Sequence, residues 1–251
     1  MMKMTDMVKH LLIINIIFFL GCYLVPTAFD VLALHYFESD KFRFWQPITH
    51  IFVHADIGHI FFNMIVLVLF GSVIEYFLGD KKFVLFYFLC GLGAYVLQML
   101  INYFEFHHSL NILIDNGFDK KEIYQTLNEM KYNTIWNEYL SQSNFNGLVS
   151  TFLRSSVGAS GAISGLMVAF VVLNPNREMI LFPFPIPIKA KYLIGSYFLI
   201  DLFLGLQGSS LFGSGKVTLI GHFAHLGGAI TGLVMMWYWK KNQFNKNRWD
   251  R

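Results

Sequence analysis

Residues 57–77 read IGHIFFNMIVLVLFGSVIEYF. A run this apolar suits a helix crossing a bilayer core, which takes about 20 residues. Two polar side chains lie close to its start, His59 and Asn63, and Glu75 lies near its end. His59 and Asn63 are four apart, so on a helix they share one face, a turn apart. A polar group at membrane depth is costly, and that makes it a functional-site hypothesis by default. The stretch predicts a membrane helix with chemistry on one face.

Similar runs lie on both sides of it. The apolar pattern predicts further spans over 11–28, 83–102, 157–173, 190–207 and 218–239. Six spans would occupy about half of a 251-residue chain. Composition agrees: 55% of residues are hydrophobic and 14% are charged, against about 25% charged in soluble domains. This excludes a disordered chain, a basic nucleic-acid binder and most soluble enzymes. The fold class expected is all-α, a polytopic membrane bundle of six transmembrane helices in one domain, 1–251. A secretory signal competes for the first run, since Lys3 and Lys9 precede it. The run continues past Cys22, however, and a retained helix fits better. Cys22 and Cys90 both sit inside apolar runs, which argues against a disulfide framework and gives no metal-type spacing.

The segments between the runs differ in character. Residues 29–56 form an aromatic-rich connector, and 103–155 form the most polar stretch, with some helical periodicity. Pro183, Pro185 and Pro187 alternate with bulky residues, so 174–189 cannot be a helix interior. A short Gly/Ser loop is expected over 208–215. Lysine and arginine distribution sets the orientation. With the N-terminus inside, the inner side holds Lys3, Lys9, Lys81, Lys82, Arg177, Lys189, Lys191 and five basic residues after 239. The outer side holds fewer: Lys41, Arg43, Lys120, Lys121, Lys131, Arg154 and Lys216. Both termini are therefore expected inside, and 103–155 is expected as an outer connector between the third and fourth helices.

That topology puts His59, Ser160 and His225 a few residues in from one membrane face, with Asn63 one turn deeper. Unrelated polar residues would scatter in depth. Gly161 and Gly165 lie beside Ser160, and Gly228 and Gly232 follow His225, each pair four apart. Small residues at this spacing let helix backbones approach closely in lipid. Packing spans four and six on these faces brings a hydroxyl to an imidazole. A serine hydroxyl needs a base to become a nucleophile, and His225 can be that base. Ser160 at a helix start also meets free N–H groups and the positive dipole end. His59 and Asn63 can donate to the same anion. The chemistry indicated is acyl transfer, most simply peptide hydrolysis.

His59-Ile60-Phe61-Phe62-Asn63, Gly158-Ala159-Ser160-Gly161 and Ala224-His225-Leu226-Gly227-Gly228 occur in that order. Together they resemble the signature of rhomboid intramembrane serine proteases, over about Trp45 to Trp239 without most of 103–155. The resemblance implies a six-helix, rhomboid-like bundle with a water-filled site open to the outside. It implies Ser160 as nucleophile, His225 as general base, and His59, Asn63 and the Ser160 N–H as oxyanion donors. It implies single-pass membrane proteins as substrates, cut in or next to their membrane helix, with no cofactor, and a bacterial cytoplasmic membrane as location. Many family members carry a Trp-Arg pair in the first outer loop. Here Trp45 is followed by Gln46, and Arg43 lies two residues earlier.

His222 competes with His225 as base, but the glycines favour His225 and place His222 at a cavity rim. His54 is expected to hydrogen-bond within the first loop. A metalloprotease would need His-Glu-x-x-His on a helix, and the sequence has none, so no metal is expected. Asp201 could orient His225 as a triad acid, yet the resemblance implies a dyad. A bond from Asp201 to a neighbouring helix or cavity water is therefore the expectation, and Glu75 is expected to pair or cap locally. A non-catalytic client-binding relative would lack the nucleophile or base, and a small transporter would carry polar residues at all depths.

Overall fold

The computed structural model describes residues 3–181, 184–209 and 221–246. Pro183, most of the 208–215 loop, Lys216, the entry to the sixth predicted span, Arg248 and Arg251 lie outside the described residues.

Helix α1 (Asp6–Leu24) starts earlier and stops earlier than the 11–28 run. Its stop has a local cause. Pro26 has no N–H and keeps Val25 out of the helical region, at φ −126° and ψ 87°, so the chain restarts as a short helix α2 (Pro26–Leu32). At the other end, Glu75 reaches over from the second rod to cap α1. Its carboxylate accepts from Thr5 Oγ1 (2.6 Å), Met7 N–H (3.0 Å) and Val8 N–H (2.8 Å). Three donors and the positive helix end together allow a carboxylate to stay buried there.

After a loop with a short helix α3 (Gln46–Thr49) and a 3₁₀ turn (His50–Phe52) comes the 57–78 rod. It is built from α4 (Ile57–Val66), a π turn (Leu67–Gly71) and α5 (Ser72–Leu78). Asp56 caps it by accepting the His59 N–H at 2.8 Å. Gly79, at φ 76°, turns the chain directly into the next helix.

Helix α6 (Asp80–Asp115) far exceeds the predicted 83–102. Its 36 residues span about 54 Å. Beyond residue 102 it stays ordered because Phe106, Leu110 and Leu113 form a periodic apolar stripe. That stripe packs on α7 (Lys120–Asn128), α8 (Trp136–Tyr139) and α9 (Gln142–Leu153), which are capped by Asp119 and Ser141 at the starts of α7 and α9. Ile123, Leu127, Trp136, Leu148 and Phe152 complete a second core, joined by Leu34 and Tyr36 from the first connector. The stretch read as a polar connector is thus a packed cap.

Helix α10 (Ser160–Leu173) lies at the centre of the bundle. An antiparallel hairpin, β1 (Glu178–Leu181) and β2 (Phe184–Lys189), leads to α11 (Ala190–Gly208) and α12 (His222–Lys246). Pro185 and Pro187 lie in β2, with Ile180 opposite Pro187, consistent with their exclusion from a helix. Among the described residues, three helices are long and apolar enough to cross a membrane, Asp6–Leu24, Ile57–Leu78 and Asp80–Asp115, and Ser160–Leu173 is a shorter apolar helix. The 14 residues of α10 reach about 21 Å, short of a hydrocarbon core of about 30 Å.

The glycine pairs are where the rods touch. A Cβ on Gly228 would strike the Gly161 carbonyl oxygen, and one on Gly232 would sit 2.7 Å from Gly165 Cα. Helix α6 joins the same contact. A Cβ on Gly227 would be 2.5 Å from the Gly93 oxygen, and Gly161 and Gly165 face Ala94 and Cys90. Backbones of α6, α10 and α12 therefore meet with almost no side chain between them.

Candidate active site

Ser160 is the first residue of α10, and the chain before it fixes where it stands. Segment 154–159 is not helical. It is pinned by a two-way bridge, Leu34 N–H to Ser156 O (3.0 Å) and Ser156 N–H to Leu34 O (2.8 Å), and by Gly158 N–H to His50 O (2.9 Å). Gly158 adopts φ 117°, which side chains rarely tolerate, and a Cβ there would lie 2.7 Å from His59 Nε2. The glycine thus lets the approach to Ser160 run directly against His59.

From α12, His225 brings Nε2 to 2.9 Å from Ser160 Oγ. The hydroxyl is the donor and the ring nitrogen the acceptor in the neutral pair. The other ring nitrogen, Nδ1, lies 3.0 Å from Asp201 Oδ2 and 3.2 Å from the Tyr197 hydroxyl, both on α11. The second oxygen of the same carboxylate, Asp201 Oδ1, lies 2.5 Å from His222 Nδ1. Asp201 and His222 are each 5% exposed and His225 8%. The close approach of α11 and α12 that allows this passes through Gly205, where a Cβ would be 3.0 Å from His222 Cβ. Helix α6 steadies the start of α12, with Gln98 Oε1 accepting the Ala224 N–H at 3.2 Å.

Asp201 therefore does bond a neighbouring helix, as expected, but its partner is the predicted base itself. His222, expected at a rim, is a buried second ligand of the same carboxylate. Sequence reasoning did not single out Tyr197 at all. The available signal was spacing: Tyr197 and Asp201 are one turn apart on α11, and His222 and His225 one turn apart on α12.

His59 and Asn63 stand on the opposite wall, on α4. His59 Nδ1 is within 3.5 Å of the Ala55 N–H, which leaves its proton on Nε2, beside Gly158. Asn63 is 7% exposed, and its Nδ2 has no hydrogen-bond partner among the described residues. Gly158 is its neighbour too, 3.7 Å from Nδ2 to the place a Cβ would take. His54 packs edge-on against His59 and bonds the Phe52 carbonyl, within its own loop as expected. Burial pushes its imidazole down to about 4, and that of His50 likewise to about 4. Both rings are neutral near pH 7, so neither adds charge to the site.

Ser160, His225, His59 and His222 line one cavity of about 650 Å³. Its far wall comes from α6 and α9, including Gln98, Asn102, Glu105 and Thr151. Glu105 accepts a hydrogen bond from Ser209 at the end of α11. The cap thus contributes directly to the hollow above the serine.

A family model for the Rhomboid domain matches residues 41–107 and 128–242. The chain is a rhomboid. This rhomboid is also 24% identical, over 234 residues, to rhomboid-like protein 11, chloroplastic, of Arabidopsis thaliana. The alignment covers 88% of this chain and 62% of that protein, so the chain spans less than two thirds of that relative's length. Between its two segments the family match skips 108–127, the top of α6 and most of α7. Helices α8 and α9 fall inside the matched region, so the family pattern reaches further into the predicted connector than its motifs did. Family and apolar helices together make this rhomboid a multi-pass membrane protein.

Proposed function

We propose that this rhomboid is an intramembrane serine endopeptidase that cleaves single-pass membrane proteins in or next to their transmembrane helix. The observation that carries the reading is the 2.9 Å contact between Ser160 Oγ and His225 Nε2 at the start of α10, inside a cavity. Ser160 Oγ attacks the scissile carbonyl carbon while its proton passes to His225 Nε2. The tetrahedral oxyanion meets the Ser160 N–H, His59 Nε2–H and the unpartnered Asn63 Nδ2. The C–N bond then breaks as His225 returns the proton to the leaving amine. Water, deprotonated by the same imidazole, releases the acyl group and restores Ser160. The reaction needs no cofactor.

All six rods cross the membrane in this reading, with both termini inside a cytoplasmic membrane and the cavity opening outward. The whole chain is one domain, whose cap stands outside over the site. Substrate helices approach through lipid. A non-catalytic rhomboid-like role would need neither the hydroxyl nor the base, whereas both are in hydrogen-bond contact.

The test is incubation of purified protein with a panel of single-pass helices, with cleavage sites read by mass spectrometry. Cleavage is expected to vanish in Ser160→Ala and in His225→Ala, with the melting temperature retained. A fluorophosphonate probe is expected to label Ser160 alone. Continued cleavage by Ser160→Ala would remove the nucleophile assignment.

A further inference from the structure

The polar groups of the bundle interior extend past the serine and its base. Asp201 is buried between two imidazoles and offers one oxygen to each, at 3.0 Å to His225 Nδ1 and 2.5 Å to His222 Nδ1. A carboxylate that only joined α11 to α12 could bond any donor on that face. This one takes the single ring nitrogen whose proton decides what His225 can do.

With Nδ1–H donated to Asp201, the lone pair of neutral His225 is on Nε2, facing Ser160. The opposite tautomer would turn an N–H toward the serine hydroxyl and leave no acceptor for its proton. When His225 takes that proton it becomes a cation in a mostly buried place. The Asp201 carboxylate stays ionised beside it and offsets the new charge. His222 occupies the second oxygen, so the carboxylate cannot rotate away from His225 without losing a buried bond.

We propose that Asp201 is the positioning acid of a Ser160–His225–Asp201 relay, and that His222 braces it. This deepens the protease reading above and rests on it. Tyr197 contributes a weaker hold on the same Nδ1, at 3.2 Å. The other groups facing this cluster are Ser160 on α10 and His59 across the cavity on α4.

The experiment compares Asp201→Asn, His222→Asn and His222→Leu with wild type and Ser160→Ala in one reconstituted cleavage assay. Melting temperature and fluorophosphonate labelling rate are read in parallel. Asp201→Asn is expected to lower kcat by up to about 10⁴-fold, the loss seen when a triad acid is neutralised without changing its shape. KM and melting temperature should stay close to wild type, and labelling at Ser160 should slow as kcat does. His222→Asn keeps an N–H near the Nδ1 position, and it is expected to recover about tenfold of the rate lost in His222→Leu. A relay is overturned if Asp201→Asn keeps wild-type kcat. It is equally overturned if kcat falls only in step with melting temperature, which is the mark of a mere inter-helix tie. In both cases a silent Ser160→Ala would leave the serine–histidine pair standing. An active Ser160→Ala would instead remove the protease reading itself.

Discussion

Helix α6 is packed in two different ways along its length. Its lower half presents Cys90, Gly91, Gly93 and Ala94, and these let α10 and α12 press backbone against backbone. Its upper half presents Phe106, Leu110 and Leu113 to the cap, where tilted rings pack at centroid distances such as 5.1 Å for Tyr36–Phe106 and 5.5 Å for Phe106–Phe152. In lipid there is no gain from burying apolar surface, so helices associate by close fit, and small residues allow it. In water, large apolar side chains are what drives association. One helix thus carries both solutions, and the change-over falls beside the cavity.

The largest effect should come from the lower half. Gly228→Ala places a methyl on the Gly161 carbonyl, and backbone at that point cannot step aside. Loss of the monodisperse folded species in detergent, and of all cleavage, is expected by size-exclusion and activity assays. In the upper half, Phe106→Ala leaves a cavity but no clash. It is expected to destabilise the cap by about 3–5 kcal/mol, seen as faster proteolysis within 116–141 while the bundle still elutes as folded. If both changes behaved alike, the contrast between the halves would be lost.

Smaller effects probe the seam. Asn63→Ala removes one of three proposed oxyanion donors, and a fall in kcat of about 10²–10³-fold is expected, well short of Ser160→Ala. Equal loss in the two would contradict shared stabilisation. The smallest effect is that of acid on the first loop. His50 and His54 titrate near 4 when folded, below the ordinary 6.5, because burial disfavours their charged forms. The unfolded loop then binds more protons between those values. Stability is full above about 6.5 and declines as pH drops toward 4. Hydrogen exchange across 29–56 should therefore be faster at pH 5 than at pH 7, with α10 unchanged.

Where the sequence was informative, the reason is physical. The 57–78 rod and α11 fall within a residue of the apolar runs that predict them, because an unbroken apolar run has sharp ends. The extension of α6 to Asp115 is hard to read because a helix packed on one side needs only one apolar stripe, and 103–115 also carries Glu105, His107, His108 and Asn111. The break at Val25 is legible in Pro26, although the apolar run continues across it. Ser160 and His225 were found by shared depth and by glycines on the matching faces. The pairing of Asp201 with two imidazoles was not, since a lone acid in an apolar run announces a cost without naming its partner. Gln46 is a similar case. It is fully buried, accepts the His35 and Arg43 N–H groups, and donates to the Val31 and Lys41 carbonyls. It thereby ties the first loop together.

The grip of Glu75 on the beginning of α1 has its own consequence. Excising that first helix would not simply shorten the protein. It would strand a negative group in the interior with its three hydrogen-bond donors gone, so a truncated form should express poorly unless Glu75 is neutralised along with it. The amino-terminal rod is therefore part of the machine's frame, not a detachable tether.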